Sequence, residues 1–368
     1  MSELGRVLVL AGGLSLEREV SLRSGRRVFD ALRGLDVDVE FGDLGPDLMR
    51  ALIADPPSVV LPVLHGNPGE DGTVREVLEL VGVPYVGASA EACRLAFDKP
   101  LAKALVARAG LGTPASVTLP REAFHDLGAA PLISLILKRL GLPLFVKPRA
   151  GGSAFGVGHV QDADQLPAAL MACFAYHDTA LIERAVTGVE VAVGVVDLGE
   201  GPVAMPAVEI VPRRGIYDYS AHYTAGATEF FCPARLSDRA AAAVAQAALT
   251  AHRALGLRDL SRTDLIVDKD DQLFVLETAV APGLTDTSTF AMGLAAKGYA
   301  FARVWLQLAG LAGARGTSAA VQRSWHSVEQ QSRDMLGNKP SDGAAGRGLT
   351  PVEISQHRLQ EVTDPRKV

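Results

Sequence analysis

The sequence predicts an α/β protein whose first third is a parallel sheet covered by helices. Short apolar runs end at glycine turns, and each run is followed by a stretch with helical spacing. Alternation of that kind sets parallel strands side by side with helices on their faces. The first run is Val7-Leu8-Val9-Leu10, ending at Gly12-Gly13. Ser21 to Leu32 follows, with Val20, Ser24, Val28 and Ala31 on one helical face. Val59 to Leu64 is a second run and ends at His65-Gly66. Val74 to Leu80 then reads as a helix, and Val83 to Gly87 as a third short strand. Ligands of such sheets bind beyond the carboxyl ends of the strands, where Gly12-Gly13 and His65-Gly66 fall.

Further along, a helix runs from Asp98-Lys99-Pro100 to about Ala109. Leu144 to Pro148 is a strand that leads into Arg149-Ala150-Gly151-Gly152-Ser153-Ala154-Phe155-Gly156. Leu181 to Arg184 and Val189 to Val196 continue the β pattern, and Arg239 to Leu255 is an Ala-rich helix. Asp264–Val267 and Phe274–Glu277 pair around the turn Lys269-Asp270-Asp271. No internal repeat is visible. The expected units are 1–98, 99–185, 186–312 and a polar, Gly/Ser-rich, loosely held tail over 313–368.

The chain has 368 residues, enough for two or three domains. With 48% hydrophobic and 21% charged residues it is a folded protein rather than a disordered one. Lys and Arg number 36 against 42 Asp and Glu, a net charge of −6, so there is no basic footprint for nucleic acid. Cys93, Cys173 and Cys232 lie far apart, which excludes a disulfide framework and a CxxC zinc site. No apolar stretch reaches the roughly 20 residues of a membrane span. The opening apolar run is too short for a signal peptide, and a cytoplasmic enzyme is expected.

The chemistry-bearing residues cluster at strand ends. Gly151-Gly152-Ser153 with Gly156 can close backbone N–H groups over a phosphate, although the loop is not a Walker A motif; the alternative is a plain turn. Lys147 lies inside an apolar strand, so it needs a partner or must reach the edge for water. Asp264 and Glu277 end paired strands and can face one another as hard-oxygen ligands for Mg²⁺, or serve as a turn cap and a surface ion pair. Gly283 can present its N–H to developing negative charge, and Ser288 can anchor a carboxylate or cap the helix near Phe290. His65 sits in a polar loop after a buried strand. Glu17 can bind an ammonium or sit in a first helical turn, where the dipole favours acids.

Taken together, these segments resemble the D-alanine–D-alanine ligases of the ATP-grasp superfamily. The resemblance runs from about residue 6 to 312 and rests on Ala11-Gly12-Gly13 with Glu17-Arg18-Glu19-Val20-Ser21, and Leu64-His65-Gly66 with Gly69-Glu70-Asp71-Gly72. It continues through Asp98-Lys99, Val146-Lys147-Pro148, Ile182-Glu183-Arg184 and Tyr217-Asp218-Tyr219 with Tyr223. Phe231 to Ala234, Arg262 with Asp264, and Leu276-Glu277 with Pro282-Gly283-Leu284-Thr285 complete it. It implies an amino-terminal Rossmann-like (pre-ATP-grasp) α/β domain followed by a two-lobed ATP-grasp fold. By the same resemblance, Lys99, Lys147, Glu183, Val186 and Glu190 hold ATP, and the loop from Gly151 through Gly152 to Gly156 covers its phosphates. Glu17 holds the first D-alanine's ammonium, braced by Ser153 and Tyr223, with His65 beside it. Arg262 and the Gly283 N–H stabilise the oxyanion, Ser288 holds the second carboxylate, and Asp264 and Glu277 bind Mg²⁺, or Mn²⁺ in its place. The family implies a homodimer, a role in peptidoglycan precursor synthesis, and small-molecule partners only.

Three positions depart from the family pattern. Glu277-Thr278-Ala279 stands where the family has Glu-x-Asn, so a neutral metal ligand is replaced by a methyl group. His222 takes the place of a basic residue on the nucleotide side, and Gly151 the place of an acidic one in the phosphate loop. These departures keep two other readings open. One is an ATP-grasp ligase with a different D-amino-acid or amine acceptor; the other is a paralogue that binds ligand without turnover.

Overall fold

The computed structural model describes residues 4–213 and 226–316. Its first sheet is short and parallel, with β1 (Val7–Ala11) between β2 (Val39–Asp43) and β3 (Val59–Pro62). β1 and β3 are buried throughout, as continuous apolar strands covered on both faces must be. β2 is a half-buried edge strand whose Glu40, Gly42 and Asp43 hide it from an apolar search. The expected third strand at 83–87 is reduced to a single bridge from Tyr85 to Val60, because Pro84 has no N–H with which to extend the ladder. Five helices belong to this part of the chain: α1 (Arg18–Arg33), α2 (Leu48–Ala54), α3 (Thr73–Val81), α4 (Ala90–Phe97) and α5 (Lys99–Arg108). α1 buries Ser21, Ser24, Gly25, Val28 and Leu32, the stripe that its 3.6-residue period dictates. Asp98 separates α4 from α5 and caps the latter, its Oδ1 accepting from the Leu101 N–H at 3.1 Å.

The second and third sheets are antiparallel, so simple strand–helix alternation describes only the first third of the chain. β4 (Ser116–Pro120), β5 (Leu144–Pro148), β6 (Gly158–Val160) and β7 (Thr179–Arg184) form the second, in the order β4-β7-β5-β6. α6 (Arg121–Asp126), α7 (Ala129–Leu140) and α8 (Leu166–Phe174) accompany it, and Ile136, Leu140, Val146, Leu170 and Ile182 share its core. The third sheet contains β8 (Val189–Asp197), β9 (Pro202–Ala204), β10 (Val208–Pro212), β11 (Thr228–Phe231), β12 (Leu260–Val267) and β13 (Leu273–Ala279). Its main path is β11-β10-β8-β12-β13, with β9 paired to β8. α9 (Asp238–Ala254) packs on it through Ala240, Val244, Ala247, Ala248 and Ala251, small side chains that allow close approach to the sheet. α10 (Thr289–Ala296) and α11 (Phe301–Arg315) follow. No helix among the described residues is long and apolar enough to cross a membrane.

One ion pair ties the start of β12 to the end of α11, and the same carboxylate reaches back to Gly87. Asp259, only 4% exposed at its side chain, accepts both Arg315 guanidinium nitrogens at 2.7 Å and the Gly87 N–H at 2.7 Å. Truncating Arg315 leaves the buried Asp259 carboxylate without its cation, so Arg315→Ala is expected to cost about 2 kcal/mol, less than a fully buried pair because the Arg315 side chain is 34% exposed. A urea midpoint close to that of the parent protein would contradict this assignment.

Candidate active site

A cavity of about 950 Å³ gathers most of the residues singled out in the sequence. Glu17 ends the loop that leaves β1, and its carboxylate lies between two glycines from different segments. A Cβ on Gly66 or Gly152 would stand 2.7 or 2.9 Å from Glu17 Oε2, so a side chain at either point would have to displace that carboxylate, and Gly66 also holds a positive φ of 67°. Ser153 Oγ donates to Glu17 Oε1, joining the loop after β5 to the amino-terminal sheet. Burial pushes the Glu17 carboxyl above its ordinary value, against the opposing effects of Ser153 and Lys99. Gly151 and Gly152 line the cavity with Ser153, whereas Gly156 lies against the Tyr176 ring and Pro148.

The strand lysine does find a buried partner. Lys147 on β5 donates to Glu183 Oε1 on β7, and Lys103 on α5 reaches Glu183 Oε2 at 2.5 Å and the Pro114 carbonyl at 3.1 Å. Burial alone would raise the Glu183 carboxyl, but Lys147 and Lys103 outweigh it and hold it below the usual range. Lys147 is raised in turn, burial being outweighed by Glu183. Lys103 is the functional residue that the sequence reading missed. Its signal was there: it follows Lys99 by four residues, so both lie on one face of α5.

The two expected metal carboxylates are direct partners across the third sheet, Asp264 on β12 opposite Glu277 on β13, beside an irregularity in the pairing. Each is held by a cation. Arg262 places Nε 2.7 Å from Asp264 Oδ1 and a terminal nitrogen 2.6 Å from Oδ2. Lys99 Nζ lies 3.1 Å from Glu277 Oε2 and 2.5 Å from the Gly151 carbonyl, so one ammonium bridges the glycine loop and the carboxylate pair. Burial works against the Glu277 charge, but Lys99, Arg262 and Lys147 bring its carboxyl down to about 2. Glu190 on β8 is pushed up to about 7 by burial and then by Asp264. Ala279 lines the same cavity, opposite Arg262. Two adjacent carboxylates are a fitting oxygen donor set for a hard divalent cation. Among the described residues no group of three or more His, Cys, Asp or Glu side chains forms a metal cluster.

His65, Gly283, Ser288 and Val186 also line the cavity. His65 spends both ring nitrogens on the chain: Nδ1 donates to the Ala281 carbonyl at 3.0 Å, and Nε2 accepts from Ser24 Oγ at 3.3 Å. Ser24 Oγ accepts the Leu284 N–H at 3.1 Å. Burial first, with Arg262 and Arg75 nearby, lowers His65 to about 4, so the ring is neutral and fastens the Gly283 loop to α1. Ser288 is the N-cap residue of α10, but its hydroxyl lies 2.8 Å from Thr285 Oγ1 and makes no capping bond. Tyr217, Tyr219, His222 and Tyr223 lie outside the described residues, as does the tail beyond 316.

The family model described as the D-ala D-ala ligase C-terminus matches residues 105–309, and that of the N-terminus matches residues 47–88. The chain belongs to the D-alanine–D-alanine ligase family. It is 38% identical over 310 residues to a D-alanine–D-alanine ligase of Nitrosospira multiformis, covering 84% of this chain and 97% of that protein. A ligase of the same name from Syntrophobacter fumaroxidans is 41% identical, with 83% and 97% covered. Among solved structures, the VanG D-Ala:D-Ser ligase from Enterococcus faecalis superposes with a TM-score of 0.70 at 27% identity, covering 83% of this chain and 98% of that one. The fold is thus an ATP-grasp fold behind an amino-terminal α/β unit, which implies ATP and a divalent metal.

Glu190 gives this site a stability signature. Its folded value of about 7 exceeds the ordinary 4.5, so the folded state holds the proton more tightly than the unfolded chain does. Stability from this group therefore falls as pH rises from about 4.5 to 7 and stays low above that. Glu190→Gln removes the penalty: its urea midpoint is expected to exceed the parent's at pH 8 and to match it at pH 4. Equal midpoints at pH 8 would show that Glu190 carries no such cost.

Proposed function

We propose that the protein joins two D-alanines into D-alanyl-D-alanine through an acyl phosphate, consuming ATP and releasing ADP and phosphate for peptidoglycan precursor synthesis. The observation that carries this reading is the contact of Ser153 with Glu17. It brings a glycine phosphate loop onto an ammonium-binding carboxylate, in one cavity with the Lys147–Glu183 pair and the Asp264–Glu277 pair. The units 1–98, 99–185 and 186–312 then act as a substrate domain and two ATP-grasp lobes.

In this reading Glu17 holds the first D-alanine by its ammonium, and its carboxylate attacks the γ-phosphorus. Lys147 and Lys99 neutralise phosphate charge, Glu183 keeps Lys147 in place, and Val186 and Glu190 contact the nucleotide. The second D-alanine, its carboxylate on Ser288, then attacks the acyl carbonyl through its amine. Arg262 turns from Asp264 to meet the oxyanion together with the Gly283 N–H. By the family resemblance Tyr223 would brace Glu17 and His222 would serve the nucleotide. Asp264 and Glu277 would hold Mg²⁺, with Mn²⁺ as substitute, and the metal supplies charge neutralisation at the phosphates. His65 holds the Gly283 loop at the first substrate. The enzyme acts as a cytoplasmic homodimer.

The likeness to VanG favours a second reading in which the acceptor differs, since that protein is a D-Ala:D-Ser ligase. Phosphate release with ATP, Mg²⁺ and a panel of D-amino acids separates the two. D-alanine alone stimulates release in the first reading, and a mixture with another acceptor does so in the second. No stimulation at high metal concentration would sink both and leave a ligand-binding paralogue. Arg262→Met is expected to lower kcat by about 100-fold or more, as loss of an oxyanion donor does. Ala279→Asn should raise kcat and lower the Mg²⁺ concentration needed for half-maximal rate; an unchanged metal dependence would refute the ligand argument.

A further inference from the structure

Two buried side-chain donors find no protein acceptor among the described residues: Arg75 Nε and Trp305 Nε1. Arg75 on α3 is 1% exposed and Trp305 on α11 is 3% exposed, so bulk water does not reach them. Among the described residues, the one hydrogen bond of the Arg75 guanidinium runs from Nη1 to the Gly69 carbonyl. Both residues line one small internal cavity of about 20 Å³, walled also by Val63, His65, Ala281 and Pro282, all of them buried. His65, Val280 and Ala281 line this cavity on one side and the active-site cavity on the other.

We propose that this inner cavity is a site for one bound water, which accepts hydrogen bonds from Arg75 Nε and Trp305 Nε1 and braces the wall behind the Gly283 loop. The volume exceeds the roughly 10–15 Å³ that a single water needs. The guest must offer two acceptor positions at once, which excludes an apolar occupant. Water meets that demand and keeps two protons for the backbone carbonyls around it. Glu70 lies close enough to feel Arg75, but burial and then Glu17 push its carboxyl up to about 8, so it is protonated at neutral pH and leaves the guanidinium without a carboxylate partner. That leftover positive charge makes a halide the chemical rival, and the two guests are separable by experiment.

The site's position gives it a mechanical role. The wall is tied from the front by the His65 bond to Ala281 and by the Ser24 bond to Leu284. The water ties it from the back to α3 and α11. The site stands on packing alone and does not depend on which reaction the enzyme performs.

The sequence holds two tryptophans, so Trp325→Phe leaves Trp305 as the sole indole. In that full-length, ¹⁵N-indole-labelled variant, the Trp305 N–H should show a cross-relaxation peak to a long-lived water. A high-resolution crystal structure should show one sphere of density within hydrogen-bond distance of both nitrogens, with no anomalous peak after bromide soaking. Trp305→Phe, which keeps a ring but deletes the donor, should lower or remove that density. A missing water peak with an empty cavity would overturn the proposal, and a bromide peak would overturn it in favour of an anion.

Discussion

Charge compensation inside a buried cavity is the constraint that organises this protein. Glu17, Glu183, Glu190, Asp264 and Glu277 all line one cavity and cannot all stay ionised there unless cations come with them. Lys99, Lys103, Lys147 and Arg262 supply those cations, and they come from α5, β5 and β12. The pairings therefore hold these elements together as well as the charges. Lys99 shows this most directly, since a single ammonium touches a β13 carboxylate and the carbonyl of the glycine loop. Where cations fall short, the proton takes over: Glu190 and Glu70 shift upward to about 7 and about 8, burial being the largest cause for each.

The same constraint explains why the glycines matter. Glu17 is reached from two sides by backbone, at Gly66 and at Gly152. A side chain at either point would push the Glu17 carboxylate out of the place where it meets Ser153. Substrate ammonium and phosphate must nevertheless be neighbours if a carboxylate is to attack phosphorus, so the close approach is a condition of the chemistry and not merely of the turn.

Much of this was legible in the sequence because the chemistry sits at strand ends, and strand ends are marked by glycine and by an abrupt change from apolar to polar residues. The runs ending at Gly12, His65 and Glu277 gave positions as well as elements. Four features escaped. β2 carries its own charged residues, and Val83–Gly87 looks like a strand until Pro84's missing N–H is counted. The antiparallel order of the second and third sheets depends on long-range pairing that local pattern does not record. Lys103 escaped because its partner Glu183 is far away in sequence. For His65, position in the loop suggested a ligand contact, but hydrogen-bond accounting places both its nitrogens on the chain.

Ala279 is best understood through the same charge balance. Asp264 and Glu277 together carry two negative charges, which match a divalent cation. An asparagine at 279 would add a dipole and a direction but no charge. Its loss leaves the electrostatic demand for the metal intact while removing one of the groups that fix where the metal stands. Arg262 sits opposite Ala279 on the paired strand and already grips Asp264 by two bonds, so the arginine constrains the carboxylate that a side-chain amide would otherwise help to orient. In the proposed reading such a site still attracts hard cations by its charge, but it would hold them more weakly and with less fixed geometry toward the phosphates than one that keeps the amide.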